Sequence, residues 1–123
     1  MMNENAATRP HLSICLTCAA PDEKISGRKL YDAVTAASDG RVDVIGVHCL
    51  ASCRNTCSAT ISMPGKWGWL MGHLHAGLAQ DLLTYIAAYR RSARGVVMPS
   101  KRPASLEKVM IGRFPTFMQR DLT

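Results

Sequence analysis

The five cysteines of the chain fall into two groups with short spacings. Cys15 and Cys18 form a C-x-x-C pair, while Cys49, Cys53 and Cys57 follow one another at intervals of four residues. Thiolates at such spacings can hold a zinc ion in tetrahedral geometry or supply the four ligands of an iron–sulfur cluster. A C-x-x-C pair can also act as a redox dithiol, so a metal centre and thiol chemistry are both open.

The remainder of the sequence indicates the compartment in which these thiols work. No stretch approaches the roughly 18 uninterrupted apolar residues of a membrane span, and residues 1–11 lack the apolar core of a signal peptide. We therefore predict a cytoplasmic protein without membrane contact. Because cytoplasmic thiols are kept reduced, metal ligands or redox thiols are favoured over a structural disulfide framework.

The charge balance indicates the kind of partner. The chain has 15 Lys and Arg against 9 Asp and Glu, a formal net charge of +6. A basic surface suits an acidic redox protein, a nucleic acid or an anionic small molecule, and it can also be a solvated face without a partner. Nucleic acid is disfavoured, because the basic stretch from Arg90 to Arg120 contains only Phe114 and Phe117 as aromatic residues.

Two predicted strands lead directly into the cysteine groups. The apolar run at 11–16 is typical of a strand and contains Cys15, and the almost continuous apolar run at 42–47 predicts a strand covered on both faces. Cys49 follows that second strand, and a helix predicted from Arg28 joins the two strands into a βαβ unit. Because strands joined in this way lie side by side or nearly so, their C-terminal ends bring both cysteine groups to one edge.

The second half of the chain predicts a hairpin and a helix. Polar and apolar residues alternate at 59–63 and again at 67–71, on either side of a turn at Pro64 and Gly65. Apolar residues at helical spacing from 78 to 89 then indicate a second helix. The predicted fold is therefore an α/β domain, a thioredoxin-like βαβ-ββα layer with a mixed sheet.

One domain is expected for 123 residues with 47% hydrophobic content. We assign residues 1–11 to a flexible N-terminus, 12–96 to the thioredoxin-like domain, and 97–123 to an irregular C-terminal extension packed on it. Three prolines interrupt the extension, in which the sequence predicts a helical turn or two around 106–110.

The order of a cysteine-bearing strand, a helix, a strand, the C-L-A-S-C sequence at 49–53 and a hairpin resembles the thioredoxin-like [2Fe-2S] ferredoxins. The PGKW turn and the late R-F-P also resemble an uncharacterised bacterial family of predicted metal-binding proteins, the domain of unknown function 1636, over nearly everything after residue 11. The resemblance implies a small electron carrier, no enzyme by itself, that can form a homodimer. It further implies that one [2Fe-2S] cluster is bound by four cysteines, with the fifth as an alternative ligand; the four are Cys15, Cys18, Cys49 and Cys53, and the alternative is Cys57.

Two other functions use the same thiols. A module for Zn²⁺ or another metal, with a structural, storage or delivery role, would close a four-thiolate site, and His73 and His75 are its reserve ligands. A thiol-disulfide oxidoreductase would use Cys15 and Cys18. The sequence favours it less, because Gly27 and the loop before it are expected to separate these thiols from the helix N-terminus that would activate them.

Overall fold

The protein is described here by a computed structural model that covers residues 9–16, 26–48 and 57–117. The described elements are β1 (His11–Cys15), α1 (Ser26–Ser38), β2 (Asp43–Val47), β3 (Ala59–Ser62), β4 (Gly68–Met71), α2 (Ala79–Arg91) and β5 (Met110–Phe114). Short 3-10 helices precede α2 and β5. Among the described residues, no helix combines the length and apolar character that a membrane span requires.

The strands form one mixed sheet in the order β2-β1-β3-β4-β5. β1 and β2 run parallel, with Cys15 opposite Val47, and the other neighbouring strands run antiparallel. The connection from β1 to β2 runs through α1, as the βαβ prediction requires. The predicted mixed α/β layer is therefore confirmed.

The core lies between the sheet and the two helices, which pack against each other. Leu12 and Ile14 of β1 are fully buried, as are Leu30 and Val34 of α1. β3 alternates as predicted, because its first and third residues are buried and its second and fourth are partly exposed. The alternation places the apolar face of the sheet under the helices and a polar face outward.

β2 differs from the prediction of a strand covered on both faces. It is an edge strand of the described sheet, and Ile45 is 43% exposed, whereas its neighbour Val44 packs against the core. The prediction is wrong because an apolar run on an edge strand has the same sequence pattern as one on a strand covered by helices on both sides. Val44 faces the core, and the opposite face of β2, which carries Ile45, is open.

The C-terminal segment contributes a strand of the sheet, which the sequence analysis missed. β5 pairs with β4, and the side chains of Leu106 and Val109 before it belong to the core. The guanidinium carbon of Arg113 on β5 lies 4.0 Å from the ring centroid of Trp67, within range of a cation–π contact. The pattern concealed this strand, because its three central residues are exposed and no apolar alternation marks it.

Candidate functional site

Cys15 lies where the ends of three strands meet. Its backbone N–H donates to the carbonyl of Ser58, just before β3, at 3.1 Å. On the other side, the N–H of Leu16 donates to the carbonyl of Val47, the last residue of β2, at 2.8 Å. The Cys15 thiol donates to the carbonyl of His48 at 3.6 Å. We call this region, formed by the C-terminal ends of β1 and β2 and the N-terminal end of β3, the cysteine edge.

Cys57 belongs to the same cysteine edge. It precedes Ser58, the residue whose carbonyl binds Cys15, and it exchanges two backbone hydrogen bonds with Leu74, at 3.4 Å and 3.0 Å. Both cysteine residues are 1% exposed. Cys57, the predicted alternative ligand, therefore lies just before β3, the strand that pairs with β1 and whose N-terminal end meets Cys15.

The other three predicted ligands, Cys18, Cys49 and Cys53, lie outside the described residues. In the sequence, Cys18 is three positions after Cys15, and Cys49 directly follows the residue whose carbonyl accepts the Cys15 thiol. Within residues 9–16, 26–48 and 57–117, no three His, Cys, Asp or Glu side chains form a metal-binding group. The assignment of the four ligands therefore stays a prediction.

α1 begins directly beside Cys15. An added Cβ at Gly27, in the first turn, would lie 1.9 Å from the carbonyl oxygen of Cys15 and 3.3 Å from the carbonyl carbon of Leu16. Only glycine allows the helix to come this close. The prediction that this glycine precedes the helix is wrong, since α1 starts at Ser26, and the glycine read as a loop signal is a packing contact.

The position of this helix has an electrostatic consequence. The N-terminal end of a helix carries a partial positive charge, which favours negative charge nearby. Because the first turn of α1 contacts the backbone of Cys15, the helix dipole acts at the cysteine edge. Thiolate ligands and a reactive thiolate would both benefit from it.

The two reserve histidines lie on either side of Leu74, the residue that is hydrogen-bonded to Cys57. Both His73 and His75 are exposed, and His73 has a left-handed backbone with φ of 58°. In the described part of the chain, neither joins the buried cysteines in a metal-binding group. The structure thus gives the histidines no described role as ligands.

The chemistry of the two described donors fits a thiolate-bound group. Cys15 and Cys57 both belong to the hydrophobic core. Soft sulfur donors suit zinc and iron–sulfur clusters, whereas Mg²⁺ and Ca²⁺ require oxygen ligands. An apolar setting also limits access of water to the bound group. A thiolate-ligated metal or cluster is therefore compatible with this edge of the sheet.

The fold and the strand order define a thioredoxin-like α/β protein. The structure is similar to that of a thioredoxin-like [2Fe-2S] ferredoxin from Aquifex aeolicus, with a TM-score of 0.57 over 85% of this chain and 92% of that chain. The sequence identity is 12%, so the similarity establishes the fold. The predicted thioredoxin-like layer is thereby confirmed.

The sequence itself identifies the family. The model of a family described as a protein of unknown function, DUF1636, matches residues 12–116, and the chain belongs to this family. The comparison with curated proteins gave no match. The family resemblance drawn from the PGKW turn and the R-F-P sequence is therefore confirmed.

Proposed function

We propose that this protein is a small ferredoxin-like electron carrier that binds one [2Fe-2S] cluster. Four of the five cysteines would be its ligands; these are Cys15, Cys18, Cys49 and Cys53, with Cys57 as the alternative. The observation that carries the proposal is the meeting of strand ends at the cysteine edge. Both cysteine groups adjoin these strand ends in the sequence, and this adjacency supports four of the thiols as ligands of one cluster.

When bound, such a cluster takes up and releases a single electron. The contribution of the chain is to hold the strand ends and to favour negative charge. Gly27 lets the positive end of α1 approach Cys15, where it offsets the charge of thiolates. The backbone hydrogen bonds from Cys15 to Ser58 and between Cys57 and Leu74 fix Cys15 at the end of β1 and Cys57 just before β3.

In this proposal the protein catalyses no reaction by itself and passes electrons to a protein partner. The formal net charge of +6 favours an acidic partner. Association of oppositely charged proteins is steered by electrostatic attraction and weakens as salt screens it. Electron transfer to the partner should therefore slow as ionic strength rises.

The first experiment is anaerobic purification of the untagged protein, followed by analysis of iron, zinc and acid-labile sulfide. A visible spectrum is recorded before and after dithionite. We expect iron and sulfide in equal amounts and visible absorption that dithionite bleaches. Colourless protein with stoichiometric zinc and no sulfide would contradict the cluster and establish a zinc module instead.

The second experiment identifies the ligands by replacing each of the five cysteines with serine in turn. We expect four variants to lose the visible absorption and Cys57→Ser to retain it. Lys101→Gln is the control, because its position is exposed and lies outside the cysteine edge. If Cys57→Ser loses the cluster and another variant keeps it, the ligand set is wrong although the cluster is present.

A thiol-disulfide oxidoreductase is the second candidate, because α1 begins beside Cys15 and not at a distance from it. A helix N-terminus stabilises a thiolate and thereby promotes exchange with disulfides. Protein isolated without metal is equilibrated with glutathione buffers, and the Cys15–Cys18 disulfide is measured by mass spectrometry. A reversible couple in protein that never contains metal would replace the electron-carrier proposal.

A further inference from the structure

A cavity of about 700 Å³ lies at the end of the sheet opposite the cysteine edge. Its lining includes Pro10 before β1, Val42 before β2 and Ser38 at the end of α1. Because β1 and β2 are parallel, these residues mark the N-terminal ends of the strands, while Cys15 marks the C-terminal end. Five-residue strands span about 15 Å, so the cavity is separate from the cysteine edge.

The lining of the cavity is strongly basic. Arg41, Arg90 and Arg91 contribute to it, against the single carboxylate of Asp39. All three arginines are exposed, and the ion pairs among the described residues include none of them. Their guanidinium groups are therefore available to a bound molecule.

The backbone explains how the arginines come together. α1 ends at Ser38, and Asp39 and Gly40 both have left-handed backbones, with φ of 60° and 77°. The chain reverses there, so that the N–H of Arg41 donates to the carbonyl of Ser38 at 3.1 Å. The other two arginines occupy the last turn of α2, which packs against α1. Two separate elements thus supply positive charge to one cavity.

The rest of the lining is largely apolar. Leu83, Ile86 and Ala87 of α2 contribute to it together with Val42. The polar Thr84 is already engaged, since its hydroxyl donates to the carbonyl of Gln80 at 3.1 Å. Cavities of a few hundred Å³ with an apolar lining and a few charged groups are typical of small-molecule sites. Guanidinium groups suit carboxylate and phosphate oxygens in such sites.

We propose that this cavity binds a small organic anion. Arg41, Arg90 and Arg91 hold its carboxylate or phosphate group, and its apolar body packs on Leu83 and Ala87. The site is independent of the proposed cluster, because no residue of the cysteine edge lines it. A competing role for the arginines of α2 is to offset the negative end of the helix dipole, and the experiment below separates the two roles.

The test is a titration of the full-length, ¹⁵N-labelled protein, followed by two-dimensional NMR. Phenyl phosphate and phenylacetate are the probes, so that the two anionic groups are compared on similar apolar bodies, and benzyl alcohol is the neutral control. We expect saturable shifts of the amide signals around Gly40 and Ala87 with at least one anion. Little or no shift is expected with the alcohol. The anion that binds more tightly identifies the preferred group.

Two double variants with the same change in net charge show whether the arginines act locally. Arg41→Gln/Arg90→Gln should weaken anion binding at least tenfold, since two charged contacts are lost. Lys101→Gln/Lys108→Gln removes the same charge from exposed positions outside the cavity and should leave the Kd unchanged. If the arginine double variant does not fold, Arg91→Gln alone replaces it, with a several-fold loss expected.

Four results would overturn the proposal. In the first, neither anion gives saturable shifts. In the second, benzyl alcohol binds as tightly as the anions. The third is an equal loss of affinity in both double variants, which would mean that net charge and not the cavity attracts the anion. An arginine variant that loses only stability, with an unchanged Kd, would assign these residues to the helix end and likewise reject the site.

Discussion

The contact between α1 and β1 makes Gly27→Ala an informative substitution. The new methyl carbon would lie 1.9 Å from the carbonyl oxygen of Cys15 and 3.0 Å from its carbonyl carbon. Both atoms belong to the backbone, and the hydrogen bond of Cys15 to Ser58, at 3.1 Å, holds this strand in place. A normal van der Waals contact therefore requires α1 to move away by more than 1 Å.

The expected magnitude is the difference of two opposing effects. Alanine is favoured over glycine in a helix by about 1 kcal/mol, so propensity alone would stabilise the variant. Overpacking costs about 1 to 3 kcal/mol, and a rigid backbone contact belongs near the upper end of that range. We therefore expect Gly27→Ala to lower the free energy of unfolding by about 2 kcal/mol. If the cluster proposal is correct, iron content should also fall, since α1 moves away from Cys15.

Urea unfolding, followed by far-ultraviolet circular dichroism on metal-free protein, measures this free energy. Gly112→Ala in β5 is the matched control, because an added Cβ there has nothing within 4 Å. The control should be as stable as the wild type or slightly more stable. The packing argument is refuted if Gly27→Ala is as stable as the wild type, or if the control loses as much stability.

Three further predictions concern the core. Leu106→Ala should cost about 2 to 5 kcal/mol in urea unfolding because Leu106 is fully buried, while Met98→Ala, at a residue that is 59% exposed, should cost little. Tyr89→Phe should cost about 1 kcal/mol, since its hydroxyl donates to the carbonyl of Trp67 at 2.6 Å; an unchanged urea midpoint would contradict this. Burial raises the pKa of Tyr85 above its ordinary value of 10.0. The buried neutral phenol therefore leaves the folded state fully stable below pH 10, and stability falls as pH rises further, because the unfolded chain loses this proton more readily. Tyr85→Phe should therefore reduce the fall of stability above pH 10 by up to about 1.4 kcal/mol per pH unit, and an unchanged slope would reject this reasoning.

Local patterns were sufficient to predict the βαβ unit and the hairpin. Buried residues in β3 alternate as an amphipathic strand requires. The turn after it has Gly65 at φ of 82° and a hydrogen bond from the N–H of Lys66 to the carbonyl of Met63, as its Pro-Gly sequence predicts. The sequence also predicts Cys15 near the end of a strand, since the apolar run at 11–16 ends one residue after it. These features depend on neighbours in the sequence, which is why periodicity reveals them.

The remaining features depend on contacts between distant residues. The sequence predicts Gly27 as a loop residue, because its contact with the carbonyl of Cys15 depends on packing and not on sequence spacing. β5 was missed because its pairing with β4 leaves most of its side chains exposed. The cavity joins Arg41 to Arg90 across two helices, and no local pattern marks such a pair.

The late position of β5 in the chain affects how the protein folds during synthesis. β4 ends at Met71 and its partner begins at Met110, so roughly 40 residues must be added before the pair can form. At ribosomal rates of about 5 to 20 residues per second, β4 waits about 2 to 8 s as an unprotected edge strand. During this interval its free backbone groups can pair with other nascent chains. Slowed translation between the two strands should therefore increase aggregation without any change in the finished fold.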